Sequence, residues 1–193
     1  LPIKGFNYLI QALPQIRAAV GAVHVLLVGP ERGDYGDHLR ALAQALSVSD
    51  LITFVGSVPK DEAGDYLAAA DVVAVPSVEE GGNKMVIEAA AVGTPFVATE
   101  TAGTPEYTRG WDCGLIVPAQ DEQALAAGLI KLLKAPSLRE QMGQNGQVLA
   151  KNFSTERIGE RLLQAYQFIL AGKPVPEELR LLPAGLKPSV TMT

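Results

Sequence analysis

Five short apolar runs, each rich in β-branched residues, constrain this chain more than any other feature. They are "VHVLLVG" (residues 23–29), "ITFVGS" (52–57), "VVAVPS" (72–77), "PFVAT" (95–99) and "GLIVP" (114–118). None alternates cleanly between apolar and polar, the pattern expected of parallel strands covered on both faces. Between them lie amphipathic segments. Leu39, Leu42, Ala43 and Leu46 share one helical face, as do Phe6, Leu9, Ile10 and Leu13, with Pro14 expected to kink or tighten that helix. Strands alternating with helices predict an α/β fold, a parallel sheet with helices on both faces and right-handed crossovers.

Beyond Pro118 the strand signals stop. Asp121 is expected to cap a helix that turns Leu125, Leu129, Leu132 and Leu133 inward. Ser137 and Glu140 have the spacing of a capping box for the next helix. Ser154 is expected to cap a third, with Ile158, Leu162, Ala165, Tyr166, Ile169 and Leu170 inward. From residue 172 the chain carries four prolines and no sustained period. This divides it into a domain over residues 1–171 and a Pro-rich tail over 172–193. The opening "LPIKGFNYLI" has neither Met nor a strand, so the sequence reads as beginning within a larger structure.

The 193 residues are 48% hydrophobic, enough for a sizeable core. A net charge of −5 argues against a nucleic-acid partner held by a general basic surface. The single cysteine, Cys113, excludes a disulfide framework and suits a reducing compartment. His24 and His38 stand apart, and no metal site is expected. No apolar run reaches the roughly 18 residues of a membrane span.

Open parallel sheets bind ligands at the carboxyl ends of their strands. Four Gly-containing loops belong there: "GPERGD" from Gly29, "GSVP" from Gly56 past Val58 to Pro59, "VEEGGN" after Ser77, and "ETAGTPE" after Thr99. The third leads into a helix starting near Asn83 or Lys84, whose first-turn N–H groups suit a phosphate. Glu80 precedes that start and Glu88 lies about one turn into it. Carboxylates beside a phosphate site make sense as acceptors from hydroxyls. A nucleotide sugar offers that layout, with ribose at Glu88, phosphates at the helix start and sugar at Glu80. The alternative is that both glutamates are solvated charges. "MVIEAAAVG" is nearly all apolar, so Glu88 is expected to be buried and to need a partner. The turn "VGPERGDYG" lacks G-x-G-x-x-G, which argues against a dehydrogenase, and there is no P-loop.

The phrase "PSVEEGGNKMVIEAAAVGTPFVA" resembles the Glu-x7-Glu signature of the retaining GT-B glycosyltransferases of group 1 (family 4). "KGFNYLIQAL", "ITFVGSVPKDE", "AAADVVAVPS", "ETAGTPEY" and "GLIVPAQDEQALAAGLIKLL" resemble further family phrases in the same order, over residues 2 to 170. The resemblance implies a Rossmann-like donor-binding domain, the C-terminal half of a GT-B fold. It implies transfer, with retention, of a sugar from a UDP- or GDP-linked donor to a sugar, lipid or polysaccharide acceptor, with no cofactor or metal required. It assigns Lys4 to the leaving diphosphate, Glu80 to the transferred sugar, and Glu88 to the ribose. Backbone around Gly82, Asn83, Lys84 and Met85 would hold sugar and diphosphate, and residues 56–59 the base.

Two departures bear on the donor. Gly82 stands where the family usually has Phe, and Asn83 where it has Gly, so a side-chain contact to the sugar is expected from Asn83. The family also pairs its lysine with an arginine on a central strand. The resemblance therefore implies that the remaining N-terminal part of the enzyme completes the sheet and binds acceptor, and that this fragment alone is inactive. It implies a cytoplasmic enzyme, some relatives acting at the inner membrane face. Competing readings are a sugar-nucleotide epimerase on the same fold and a non-catalytic nucleotide-sugar scaffold. Of the remaining polar residues, Asp71 is expected to cap or tie down a strand start and Glu106 to hold its loop. Cys113 is expected to be inert, Trp111 a loop or interface residue, and neither histidine catalytic.

Overall fold

A computed structural model describes residues 2–31, 33–101, 103–176 and 179. The strands form where the apolar runs place them: β1 (Val25–Val28), β2 (Ile52–Gly56), β3 (Val73–Val75), β4 (Phe96–Thr99) and β5 (Gly114–Val117). Helices separate them: α1 (Phe6–Val20), α2 (Tyr35–Ala45), α3 (Ala63–Ala69), α4 (Lys84–Val92) and α5 (Thr104–Thr108). Three more follow, α6 (Glu122–Leu133), α7 (Pro136–Ala150) and α8 (Thr155–Leu170). All strand pairs are parallel.

The strands do not make one sheet. β1 pairs with β2, and β4 sits between β3 and β5. No ladder joins the two groups among the described residues. Burial follows this division. All four residues of β4 are buried, whereas β1 is half-exposed and Leu26 is 46% accessible. Helices therefore bridge the halves. α1 packs chiefly on α6 and also on α2. Leu9, Leu13, Leu39, Val97, Val117 and Leu125 share one core cluster. Burying each such leucine or valine contributes about 1.5–3 kcal/mol. On the opposite side α4 packs on α7, and a second cluster joins Val86, Phe96, Cys113 and Leu149.

Local signals are borne out in several places. Asp121 Oδ1 accepts from Ala124 N at 2.8 Å, and Ser154 Oγ accepts from Arg157 N at 3.2 Å, each capping its helix. The helix expected from Phe6, Leu9, Ile10 and Leu13 is present as α1, which continues past Pro14 to Val20. Others are corrected. Ser137 is no cap: Pro136 opens α7, because its fixed φ and missing N–H suit the first helical position. α8 does not turn its apolar residues inward. Leu162, Tyr166, Ile169 and Leu170 are 47%, 57%, 58% and 87% exposed, and no residue of the helix is buried. An amphipathic pattern states that a face seeks cover, not what covers it. Residues 177, 178 and 180–193 of the expected tail lie outside the described residues.

Candidate functional site

The carboxyl ends of the strands carry the predicted loops. Lys4 and Glu80, 76 residues apart, meet there: Lys4 Nζ donates to Glu80 Oε1 at 2.6 Å. Lys4 closes a short 3₁₀ turn, Pro2–Lys4, and Ile3 O accepts from Val78 N at 2.8 Å. That backbone bond fastens the segment to the loop after β3. Gly5 then turns into α1 with φ +65°, and a Cβ there would collide with the Pro76 carbonyl oxygen. Only glycine allows this approach, because L-residues resist positive φ and this one would also clash. Ser77 Oγ donates to the same Glu80 Oε1 at 2.7 Å, so the carboxylate is held from two sides. The Glu80 side chain is 13% exposed and that of Lys4 is 42%. Ser77 is itself fixed, since its carbonyl accepts from Thr99 Oγ1 at 2.5 Å.

The loop then passes Gly81 and Gly82 to Asn83, which precedes α4. The Asn83 side chain, from which a contact to the sugar is expected, is packed within the protein. It is 2% exposed, and its Nδ2 donates to Thr104 Oγ1 at 3.0 Å. Gly103 lies tight against the same loop: a Cβ there would come within 3.1 Å of Gly82 Cα. Tyr107 adds to the same wall, with its hydroxyl 3.3 Å from where a Gly82 Cβ would be. Its ring packs edge-on against Phe153 at 5.5 Å. Glu106 Oε2 accepts from Gly103 N at 3.0 Å, the loop-holding role expected of it.

α4 receives no side-chain cap. Its buried face is Val86, Ala89 and Ala90, while Lys84, Met85 and Glu88 are exposed. The expected burial of Glu88 is thus corrected. An alanine-rich helix can bury a narrow stripe and leave the rest open, so apolar composition overstated the burial. Glu88 makes no hydrogen bond or ion pair with the described residues, and its carboxylate is open to a ligand. Gly29, Gly56 and Val58 sit at the other sheet, where Gly29 N donates to Gly56 O at 2.8 Å. No hydrogen bond among the described residues joins that pair of loops to the loop of Glu80 or to α4. A cavity of about 540 Å³ lies beside the ion pair, lined by Ile3, Asn7, Tyr35, His38 and Val78 among others. None of the predicted donor residues lines it.

Sequence reasoning missed Ser77, Thr104 and Tyr107 as members of this neighbourhood. A serine three residues before Glu80 was the available signal for the first. The other two belong to the "ETAGTPEY" stretch placed at the strand ends, but nothing local marks their side chains, which come from α5, 21 or more residues away. Asp71 is tied by Arg139 Nη2 at 2.9 Å, a structural role. Cys113 is buried, and burial pushes its thiol up to about 11, which leaves it protonated and inert. Among the described residues no group of three or more His, Cys, Asp or Glu is placed to hold a metal. No described helix is long and apolar enough to cross a membrane.

Comparison with known proteins adds to this geometry. The family model described as "Glycosyl transferases group 1" matches residues 1–148. A D-inositol 3-phosphate glycosyltransferase of Segniliparus rotundus is 33% identical over 173 residues, 89% of this chain and 38% of that protein. A GDP-mannose-dependent monoacylated alpha-(1-6)-phosphatidylinositol monomannoside mannosyltransferase of Corynebacterium glutamicum is 37% identical over 175 residues, 86% of this chain and 45% of that one. Among solved structures, sucrose-phosphate synthase from Thermosynechococcus elongatus aligns with TM-score 0.78 and 31% identity, covering 90% of this chain and 44% of that one. Anabaena Alr3699/HepE in complex with UDP aligns with TM-score 0.79 and 25% identity, covering 86% and 46%. The chain thus spans about two fifths of the length of the curated relatives it matches.

Proposed function

From the premise that this chain belongs to the glycosyl transferases group 1 family, we propose that it is the donor-binding half of a retaining glycosyltransferase of the Glu-x7-Glu type, family 4. The enzyme moves a sugar from a UDP- or GDP-linked donor to a sugar, lipid or polysaccharide acceptor. The observation that carries this reading is the meeting of Lys4 with Glu80 at 2.6 Å beside the uncapped start of α4. Without donor, the two charges satisfy each other. When donor binds, the diphosphate draws Lys4 away and lies along the first turn of α4, where backbone amides and the helix dipole favour negative charge. Glu80, still held by Ser77, then accepts from hydroxyls of the sugar. Glu88, open on α4, takes the ribose hydroxyls, and the backbone around Gly56 and Val58 takes the base. As the glycosidic bond breaks, Lys4 stabilises the charge developing on the leaving diphosphate, where fixed positive charge lowers the barrier most.

The unjoined edges of β1 and β3 support a further part of the reading: a strand from the N-terminal part of the enzyme fills the break between the sheets. That part also binds the acceptor. We place the enzyme in the cytoplasm, in contact with the inner membrane face when the acceptor is a lipid.

Calorimetric titration of the protein with UDP, GDP, ADP and their sugar conjugates tests the proposal. One diphosphate should bind, and Glu88→Ala should weaken it about tenfold or more, the loss expected for hydrogen bonds to a charged acceptor. Failure of every nucleotide to bind the folded protein would sink the reading.

A further inference from the structure

Asparagine is among the strongest helix N-caps, because its side-chain oxygen accepts from first-turn N–H groups. Asn83 stands immediately before α4 yet makes no such bond. Its amide is turned away and donates instead to Thr104 Oγ1 at 3.0 Å, with Asn83 2% and Thr104 0% exposed. Both partners are fixed by their surroundings. Thr104 N donates to Thr101 O at 3.0 Å, and Thr104 O accepts from Thr108 Oγ1 at 2.8 Å. Gly103 abuts the loop so closely that a Cβ there would lie 3.2 Å from Asn83 N.

We propose that Asn83 and Thr104 form a positioning clasp that keeps the start of α4 open, by diverting the one side chain best placed to cap it. The inference rests on the glycosyltransferase reading and deepens it. The first-turn amides stay available to the donor diphosphate because their natural competitor is held elsewhere. Glycine at position 83 would leave those amides bare without needing a clasp. Asparagine requires one, and Thr104 supplies it.

The idea makes an unusual mutational pattern. Thr104→Val keeps the shape and removes the hydroxyl, leaving a buried amide without its partner. Released from that bond, the side chain can turn so that its Oδ1 accepts from first-turn N–H groups and caps α4, in competition with the ligand. The test is titration of the folded protein with UDP and GDP, and with uridine and guanosine, which lack phosphate. Thr104→Val should weaken the preferred diphosphate about fivefold, the competition expected from one N-cap. Nucleoside affinity should not change. Adding Asn83→Gly to Thr104→Val removes the competing cap, so the double variant should bind the diphosphate more tightly than Thr104→Val alone, recovering most of the roughly fivefold loss. Thr104→Ser should behave as the unmodified protein. A merely structural clasp predicts the reverse, with the double variant no better than the single. If Thr104→Val binds diphosphate normally, or the double variant stays weak, the clasp is refuted while nucleotide binding stands. If Thr104→Val does not fold, Asn83→Gly alone decides: a tenfold loss of diphosphate affinity overturns the inference. If the unmodified protein binds no diphosphate, the glycosyltransferase reading falls and this inference with it.

Discussion

Gly5→Ala is the sharpest perturbation of the site's foundation. Gly5 joins the turn bearing Lys4 to α1 at φ +65°, against the Pro76 carbonyl oxygen just past the end of β3. Alanine brings two costs. Left-handed backbone costs a non-glycine residue about 1–2 kcal/mol. The added methyl must also displace the Pro76 carbonyl or the Lys4 turn, an overpacking cost of about 1–3 kcal/mol. Together these give roughly 2–5 kcal/mol, a large share of the stability of an ordinary domain. Gly172→Ala separates the terms, because Gly172 ends α8 with φ +68° but has nothing within 4 Å of an added Cβ. It should cost only the backbone part, about 1–2 kcal/mol. Urea unfolding of both variants is the assay, with midpoints compared at unchanged slope. The difference between the two is the contribution of the Pro76 contact. If Gly5→Ala is no worse than Gly172→Ala, the close approach is not as tight as described, and the placement of Lys4 beside Glu80 loses its structural basis.

Other outcomes follow from exposure and partners. Glu88→Ala, lacking any partner among the described residues, should change stability by less than about 0.5 kcal/mol, the usual range for such surface positions. A larger loss in urea melts would show that the carboxylate serves the fold. Arg139 is 19% exposed and donates to Leu132 O and Leu133 O at 2.9 Å, closing the end of α6, as well as to Asp71. Arg139→Ala should therefore destabilise by about 1–3 kcal/mol, since it strands part-buried carbonyls. Asp71→Ala should cost far less, because Asp71 is 68% exposed and exposed ion pairs contribute little. Equal losses in the two melts would contradict this ranking. Cys113, with its thiol raised from 9.0 to about 11, should resist alkylation at pH 8 until the protein is unfolded. The folded state holds that proton more tightly than the unfolded chain, so this contribution to stability is full below about pH 9 and falls as pH rises toward 11. Rapid labelling of the native protein at pH 8 would show the burial to be wrong.

The sequence by itself determined the elements and their order. β-branched runs such as residues 95–99 became strands, Asp121 and Ser154 became caps, and the Gly-rich loops fell at the carboxyl ends. These are local matters: propensity, period and capping act within a few residues. The same holds for the start of α4 at Lys84, where a Gly-Gly turn gives way to a helical run. Tertiary structure alone decided what these elements meet. The pairing of Lys4 with Glu80 spans 76 positions, and no pattern near either residue encodes it. Asn83 looked like a ligand contact until Thr104 arrived from another loop and took its amide. Glu88 looked buried because its neighbours are apolar, yet α4 buries only one stripe against α7 and leaves Glu88 outside. α8 carries an apolar face that the described residues leave exposed. The strands divided into two sheets, although their composition is alike. A hydrophobic pattern records which side of an element avoids water. Which partner covers that side depends on packing between segments far apart in the chain.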